Sequence, residues 1–432
     1  MIKFIKKQSP ARIIAVGFAI MILLGSFLLG LPCSVKEGVT VRYIDTLYMS
    51  VSAVCVTGLS VVDAGDTFTP LGQFFLALLI QTGGLGVTAV GTGVILAMGR
   101  KIDLKGRSII REAMNLDSGK GVVMFIKSVF LTTVTFELIG TALSFTVFVK
   151  DYDPLSAVGI SLFHSVAAFN NSGFDILGNF RNLAPYRDNI MLNLVTCGLI
   201  FFGGIGFLVI REIKDKRFCV RKFSMHTKVV LSVSAVLTVA GTILIKLTEN
   251  VSLLGALFNS VSARTAGFST YPLGEFSNAG LMVMIVHMFI GASPGSTGGG
   301  IKTTTFFVLL QGIKSAATNK SEKAFRYAVP ADAFRKAAVI TVIALGIVIT
   351  GTYIMSVMEP ELQLKDMLFE VVSAFGTVGL STGITPGLSD GSKILSMLIM
   401  YIGRLGPLTI ASLWHFTNGE RVSYPEGNIA IG

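Results

Sequence analysis

One short pattern occurs four times along this chain and limits what it can become. A lead-in of small residues runs into a glycine that is followed by Leu or Phe. The copies are Ser52-Ala53-Val54-Cys55-Val56-Thr57-Gly58-Leu59-Ser60, Ala167-Ala168-Phe169-Asn170-Asn171-Ser172-Gly173-Phe174, Val261-Ser262-Ala263-Arg264-Thr265-Ala266-Gly267-Phe268 and Ser373-Ala374-Phe375-Gly376-Thr377-Val378-Gly379-Leu380. They align without gaps on Gly58, Gly173, Gly267 and Gly379. The intervals, roughly a hundred residues each, are too long for a solenoid unit. Glycine serves where a backbone must take unusual dihedrals or approach a ligand closely. Four such glycines in one apolar chain predict a pseudo-fourfold ring around a pore.

The chain's apolarity sets the solvent. Only 14% of its residues are charged and 52% are hydrophobic, with a mean hydropathy of +0.71. A soluble domain carries about 25% charged residues, so a lipid bilayer is implied. Thirty-one Phe against one Trp suits lipid-facing helices. The first apolar run, Ile13 to Leu31, is long enough to span and has no small-residue cleavage site after it, which predicts a retained helix.

The net charge of +11 does not indicate nucleic acid, because of where it lies. Basic residues cluster in the N-terminal tail (Lys3, Lys6, Lys7) and in three linkers. These hold Arg100, Lys101, Lys105, Arg107 and Arg111, then Arg211, Lys214, Lys216, Arg217, Arg221 and Lys222, then Lys314, Lys320, Lys323, Arg326, Arg335 and Lys336. The other loops hold Asp63, Asp66, Asp151, Asp153, Asp175, Glu359 and Glu361. By the positive-inside rule, both termini and the three basic linkers are expected in the cytoplasm. The four cysteines, Cys33, Cys55, Cys197 and Cys219, have neither metal-type spacing nor a disulfide framework.

Between the basic linkers each quarter reads alike, as a full apolar span, a shorter apolar segment ending in the glycine motif, and a second full span. The predicted segments are Ala11 to Leu31, Ile44 to Val56 and Leu71 to Met98, then Val122 to Val149, Pro154 to Phe169 and Asn189 to Ile210. Next come Thr227 to Leu247, Ser252 to Ala263 and Leu281 to Leu310, and last Lys336 to Met358, Lys365 to Phe375 and Ile394 to Trp414. The expected fold class is therefore an all-α integral membrane protein of four helix–pore-helix–helix repeats, at 1–99, 100–211, 212–317 and 318–417, with a cytoplasmic tail at 418–432. The middle segments are too short to span and read as re-entrant half-helices. Such backbone is tolerated at membrane depth only where protein or water meets it. Their C-terminal ends carry negative partial charge, which favours a cation, and the motif's carbonyls can replace an ion's hydration shell.

The second spans carry glycines of their own: Gly83-Gly84-Leu85-Gly86, Gly203-Gly204-Ile205-Gly206 and Gly403-Arg404-Leu405-Gly406-Pro407. In a membrane helix these read first as close helix packing. The third copy, Gly291-Ala292-Ser293-Pro294-Gly295-Ser296-Thr297-Gly298-Gly299-Gly300-Ile301-Lys302, cannot form a stable helix, because Gly costs about 1 kcal/mol and Pro about 3 kcal/mol relative to Ala. It predicts a break below the ring where a discontinuous helix gates or binds. Gly291 to Gly295 also fits G-x-S-x-G, but it interrupts a membrane span where a nucleophile elbow joins strand to helix. Gly295 to Thr303 imitates a phosphate-binding loop, yet Ile301 separates the last glycine from Lys302. No enzyme is expected.

These motifs together resemble the superfamily of Trk, Ktr and HKT potassium transporters over nearly the whole chain. The start directly at the first repeat is similar to the membrane subunits of bacterial Ktr systems. The resemblance implies a potassium-translocating subunit whose filter holds Val56, Thr57, Gly58, Asn171, Ser172, Gly173, Thr265, Ala266, Gly267, Thr377, Val378 and Gly379. K⁺ would bind the backbone carbonyls of Thr57, Ser172, Ala266 and Val378. A gate would run from Gly291 to Gly300 with Lys302 and Arg404; the family's intramembrane loop corresponds to residues 291–304. It further implies a homodimer in a bacterial cell membrane on a cytosolic octameric ring of nucleotide-binding RCK (KtrA-like) subunits that respond to ATP and ADP. Uptake would depend on sodium, with no organic cofactor in this chain. Glycine at all four filter positions favours potassium. A sodium-permeable or Na⁺/K⁺-symporting member is the alternative.

Several single residues stand out. Arg404 occupies the place of Gly84 and Gly204, where a lone Arg costs about 2.5–3.5 kcal/mol, and is expected to face the pore and pair with the 291–304 loop. Arg264 is expected to brace its filter segment through pore-helix carbonyls. Asn170, Asn171 and Ser172 are expected to tie their loop down. Glu137 reads as a functional carboxylate or an anchor for a neighbouring pore helix. His164 and His287 read as satisfied polar residues and Lys302 as an anchor. Asp366 and Glu370 suit a helix N-terminus and an outer mouth that concentrates cations.

Overall fold

A computed structural model of the chain describes residues 9–97, 106, 110, 121–330 and 332–412. Lys3, Lys6 and Lys7, the basic residues from Arg100 to Arg111, Trp414 and the tail 418–432 lie outside the described residues. In order, the main helices are α1 Pro10–Leu29, α2 Tyr43–Val54, α3 Pro70–Leu85, α4 Val87–Ala97, α5 Val122–Phe148, α6 Pro154–Phe169, α7 Ile190–Gly204 and α8 Phe207–Asp215. They continue with α9 Met225–Thr248, α10 Leu253–Ser262, α11 Asn278–Phe289, α12 Thr303–Thr318, α13 Ala333–Met358, α14 Leu364–Gly376, α15 Asp390–Leu405 and α16 Pro407–Ser412. A two-residue hairpin, β1 Lys323–Ala324 against β2 Tyr327–Ala328, lies between α12 and α13.

α1, α5, α9 and α13 are each long and apolar enough to cross a membrane. Each presents one exposed apolar stripe at helical spacing: Ile20, Leu23 and Phe27; Leu131, Val134 and Leu138; Val236, Val239 and Ile243; Val342, Leu345 and Ile349. Four stripes of the same stagger are what lipid-facing helices require. The opposite faces meet the short helices α2, α6, α10 and α14 so closely that side chains are excluded. A Cβ on Gly25, Gly140 or Gly241 would collide with Ser50, Ser165 or Ser260. Those serines donate to the carbonyls of Ile22 (2.7 Å), Glu137 (2.7 Å) and Thr238 (2.8 Å). In the fourth copy Val371 takes the serine's place beside Gly351.

The second spans depart from expectation. Leu71 to Met98, Asn189 to Ile210 and Ile394 to Trp414 read as continuous helices, yet each is broken. α3 and α4 meet at 100°, and α7 and α8 at 96°. The breaks fall at Gly86, Gly206 and Gly406, whose φ values of +86°, +94° and +87° end a right-handed helix. The cause lies one turn earlier. A Cβ on Gly83, Gly203 or Gly403 would come closer than 3.0 Å to the carbonyl oxygen of Val54, Phe169 or Phe375, at or next to the end of a short helix. The glycines therefore serve close packing and also end the helix.

The first and last quarters join at a polar seam. Lys393 on α15 donates to Asp45 on α2 at 2.8 Å, and both side chains are buried. Arg42 pairs with Asp45 (3.1 Å) and Asp390 (3.0 Å). Tyr48 bonds Ser396 (3.2 Å), and the Tyr401 hydroxyl donates to Ala15 O (2.6 Å). Breaking a buried pair strands a charge. Lys393→Met should cost about 3 kcal/mol, the low end for such pairs because Arg42 remains, and lower the unfolding temperature in detergent. The double variant with Asp45→Leu should recover most of the loss.

Candidate functional site

The short helices α2, α6, α10 and α14 aim their C-terminal ends at one place. Beyond each end the chain alternates handedness. The residue two before each motif glycine has positive φ (Val56 +56°, Asn171 +58°, Thr265 +91°, Thr377 +48°), and so does the glycine (Gly58 +97°, Gly173 +69°, Gly267 +75°, Gly379 +98°). Alternation of this kind turns successive carbonyls toward one side of the strand, whereas ordinary extended chain points them to both sides.

The four segments close on one another. A Cβ on Gly58 would fall closer than 3.0 Å to Ser172 O, one on Gly173 to Ala266 O, one on Gly267 to Val378 O, and one on Gly379 to Thr57 O. The contacts run once around and return to their start, so four glycines and four carbonyl oxygens alternate in a ring with no space for any side chain. Thr57, Ser172, Thr265 and Thr377 are fully buried. The hydroxyls of Thr57 and Thr377 have no protein partner among the described residues.

Polar side chains hold the ring from outside. Asn170 donates to Gln81 Oε1 (2.7 Å), Glu137 Oε1 (3.2 Å) and Val166 O (2.9 Å). The Asn171 amide bonds Thr265 Oγ1 at 3.0 Å, joining the second and third segments. Ser52 and Ser373 accept from the amides of Gly58 (3.0 Å) and Gly379 (3.1 Å). Arg264 differs from expectation: its guanidinium donates to Ser234 O (3.2 Å) and Oγ (3.1 Å) on α9, not to the pore helix. It points away from the ring because a membrane-crossing helix supplies the acceptors. Glu370 does not stand free at the mouth. It is buried mid-helix and accepts from Ser381 (2.8 Å) and Thr385 (2.6 Å), tying the strand beyond Gly379 back to α14. Asp366 does lie in the first turn of α14.

A cavity of about 310 Å³ opens on one side of the ring, lined by all four glycines with Asp63, Asp175, Asn182 and Ser381. Asn182 donates to Gly173 O (3.2 Å) and Asp175 Oδ2 (3.0 Å). Burial, with repulsion from Asp63, pushes the Asp175 carboxyl up to about 7. Asp175 was legible only as a loop acid; the stronger signal is that the other three copies have serine, Ser60, Ser269 and Ser381, two residues after their glycine. Gln81 and Asn182 gave no sequence signal.

On the other side lies the segment between α11 and α12. Its helix-free part is 290–302, since Thr303 already begins α12. Thr265 and Thr377, from the ring, occupy the space where Gly298 and Gly299 would carry side chains. The loop satisfies groups that the broken helices leave bare: Ser293 N donates to Gly204 O (3.0 Å) and Thr297 N to Gly203 O (3.3 Å), while Gly295 O accepts from Phe207 N (3.0 Å). Ser293 Oγ also meets Thr303 Oγ1 at 2.9 Å. Arg404 donates to Thr297 O in the loop and to Gly83 O and Gly84 O at the end of α3. Lys302 donates to Gly298 O (2.6 Å) and Gly299 O (3.4 Å). Both cations border a second cavity of about 300 Å³, with Gly295, Ser296 and Gly300. His164 bonds Thr196 (2.9 Å) and His287 the carbonyls of Val283 and Leu237, and no metal-type cluster exists among the described residues.

The arrangement is a narrow carbonyl-lined constriction between two polar cavities, with carboxylates on one side and two fixed cations on the other. It has the parts to pass and to block a cation.

Comparison with known proteins agrees. Residues 14–417 match the TrkH family model, described as a cation transport protein. The chain is 36% identical to the Ktr system potassium uptake protein B of Bacillus subtilis, across 98% of this chain and 97% of that protein. It is 35% identical to the potassium/sodium uptake protein NtpJ of Enterococcus hirae, across 99% and 98%. In fold it is similar to the crystal structure of the potassium transporter TrkH from Vibrio parahaemolyticus, with a TM-score of 0.75 at 15% identity, covering 95% of this chain and 86% of that one.

Two predictions come from this geometry. Gly203→Ala should cost about 1–3 kcal/mol by overpacking, whereas Gly198→Ala on the same helix, with open space around it, should gain up to about 1 kcal/mol; thermal unfolding in detergent compares them. Because Asp175 is charged above its raised pKa and neutral below, cation uptake from dilute solution should rise severalfold between about pH 6 and pH 8, through attraction at the mouth. Asp175→Asn should flatten that profile.

Proposed function

Since the chain belongs to the TrkH family of cation transport proteins, we propose that it is the ion-translocating subunit of a Ktr-type potassium uptake system. The observation that carries this reading is the closed ring of Gly58, Gly173, Gly267 and Gly379. A cation entering the ring loses water, and the carbonyls of Thr57, Ser172, Ala266 and Val378 replace it. The C-terminal ends of α2, α6, α10 and α14 add negative partial charge toward the same point. The four quarters, 1–99, 100–211, 212–317 and 318–417, act as one pseudo-fourfold repeat, each contributing one ring segment.

The loop 290–302 is the gate in this reading. It lies against Thr265 and Thr377, so an ion leaving the ring inward meets backbone first and then the charges of Arg404 and Lys302. Moving it away requires breaking its bonds to Gly203, Gly204, Phe207 and Arg404. The remaining roles follow the same reading: basic linkers and both termini in the cytoplasm, a homodimer, sodium-dependent uptake, and control by a cytosolic nucleotide-binding RCK ring. This chain performs no hydrolysis. The name of the Enterococcus hirae relative favours a second reading in which sodium also passes.

Radioactive rubidium uptake into liposomes holding this chain alone, competed separately by K⁺ and Na⁺, separates these readings. The parent should prefer K⁺. Gly379→Ser, which forces a side chain against Thr57 O, should reduce selective uptake at least about tenfold, the equivalent of 1.4 kcal/mol. Deleting residues 293–298 should raise uptake. Equal competition by Na⁺ in the parent would sink potassium selectivity, and a deletion without effect would remove the loop as gate.

A further inference from the structure

Between 211 and 228 the sequence carries seven basic residues against two acidic ones. Two of the seven are internally paired: Arg211 with Asp215 at 3.5 Å and Lys216 with Glu212 at 3.0 Å. Lys214, Arg217, Arg221 and Lys222 are exposed, and no carboxylate pairs with them among the described residues. Between them project two large apolar side chains, Phe218 at 78% and Val220 at 63% exposure. Water makes such exposure unfavourable, and neighbouring cations do not relieve it.

The segment is a fixed shape. Glu212 accepts from Ser224 N (2.8 Å), Ser224 Oγ (2.6 Å) and Thr227 Oγ1, which staples α8 to the start of α9. Arg217 and Phe218 turn the chain with φ of +48° and +61°. α8 leaves α7 at 96°, so where α7 crosses a membrane α8 runs close to its plane. Basic heads beside apolar side chains, at the end of a helix in that plane and in the turn that follows it, are what a surface with anionic headgroups and acyl chains accommodates.

We propose that Lys214, Arg217, Phe218, Val220, Arg221 and Lys222 form a binding surface for anionic phospholipids of the cytoplasmic leaflet, with the phosphate groups at the cations and Phe218 and Val220 among the acyl chains. The proposal rests on the orientation given above. It also gives the membrane a hold on the intramembrane loop, since Phe207, the first residue of α8, donates its amide to Gly295 O at 3.0 Å.

The test is titration of the full chain in detergent with phosphatidylglycerol or phosphatidylcholine, read by native mass spectrometry, which does not depend on transport. The parent should prefer phosphatidylglycerol. In the triple variant Arg217→Gln, Arg221→Gln, Lys222→Gln the apparent Kd for that lipid should rise on the order of a hundredfold, since each surface cation contributes comparably. A control triple on the third basic linker, Lys314→Gln, Lys320→Gln, Lys323→Gln, should keep the parent's affinity; circular dichroism checks the folding of both. No preference in the parent, or equal loss in both triples, overturns the assignment. Unchanged lipid affinity together with lost binding of a purified cytosolic regulatory subunit would assign the surface to a protein and not to lipid.

Discussion

A peptide group inside a bilayer has no water to bond, so every break in a membrane helix must find its partners in protein or in a hydrated cavity. This chain breaks all four of its second spans and ends four short helices at membrane depth. The rest of the structure answers that demand. The bare carbonyls at the end of α7 are met by the amides of Ser293 and Thr297, and those at the end of α3 by the guanidinium of Arg404. The carbonyls of Thr57, Ser172, Ala266 and Val378, beyond the short helices, lie in the ring between the two cavities, each against a glycine of the next segment.

Fourfold repetition and its exceptions divide the labour. Three breaks are single glycine turns, while the one between α11 and α12 is a loop of thirteen residues, 290–302. Likewise, the position filled by Gly84 and Gly204 becomes Arg404. These two exceptions meet, because Arg404 donates to Thr297 in the loop. The symmetric parts build the constriction, and the asymmetric parts gather on one side of it. The second copy is exceptional on the other side, where Asp175 replaces serine.

The sequence was readable where a physical requirement left one residue type, and opaque where several would serve. Only glycine fits the ring, so Gly58, Gly173, Gly267 and Gly379 disclosed it, and the half-helices before them fell within a residue or two of their observed bounds. Gly-Gly-x-Gly serves a packed helix or a broken one equally well, so the breaks at Gly86, Gly206 and Gly406 were not separable from packing until the carbonyls of Val54, Phe169 and Phe375 were in view. Side-chain partners were the least legible. Arg264 needed an acceptor, but nothing in a linear chain distinguishes Ser234 from the nearer pore-helix carbonyls. The pairing of Lys393 with Asp45 joins residues at opposite ends of the sequence, and each alone reads as a surface charge.

That seam has a bearing on biosynthesis. The ring's last contact, Gly379 against Thr57, forms only when the fourth quarter arrives and Lys393 finds Asp45. A chain halted after its third quarter holds three of the four arcs and lacks the member that seals them, so it encloses no passage of its own. A ribosome that stalls midway thus leaves a helix bundle whose ring is still open on one side.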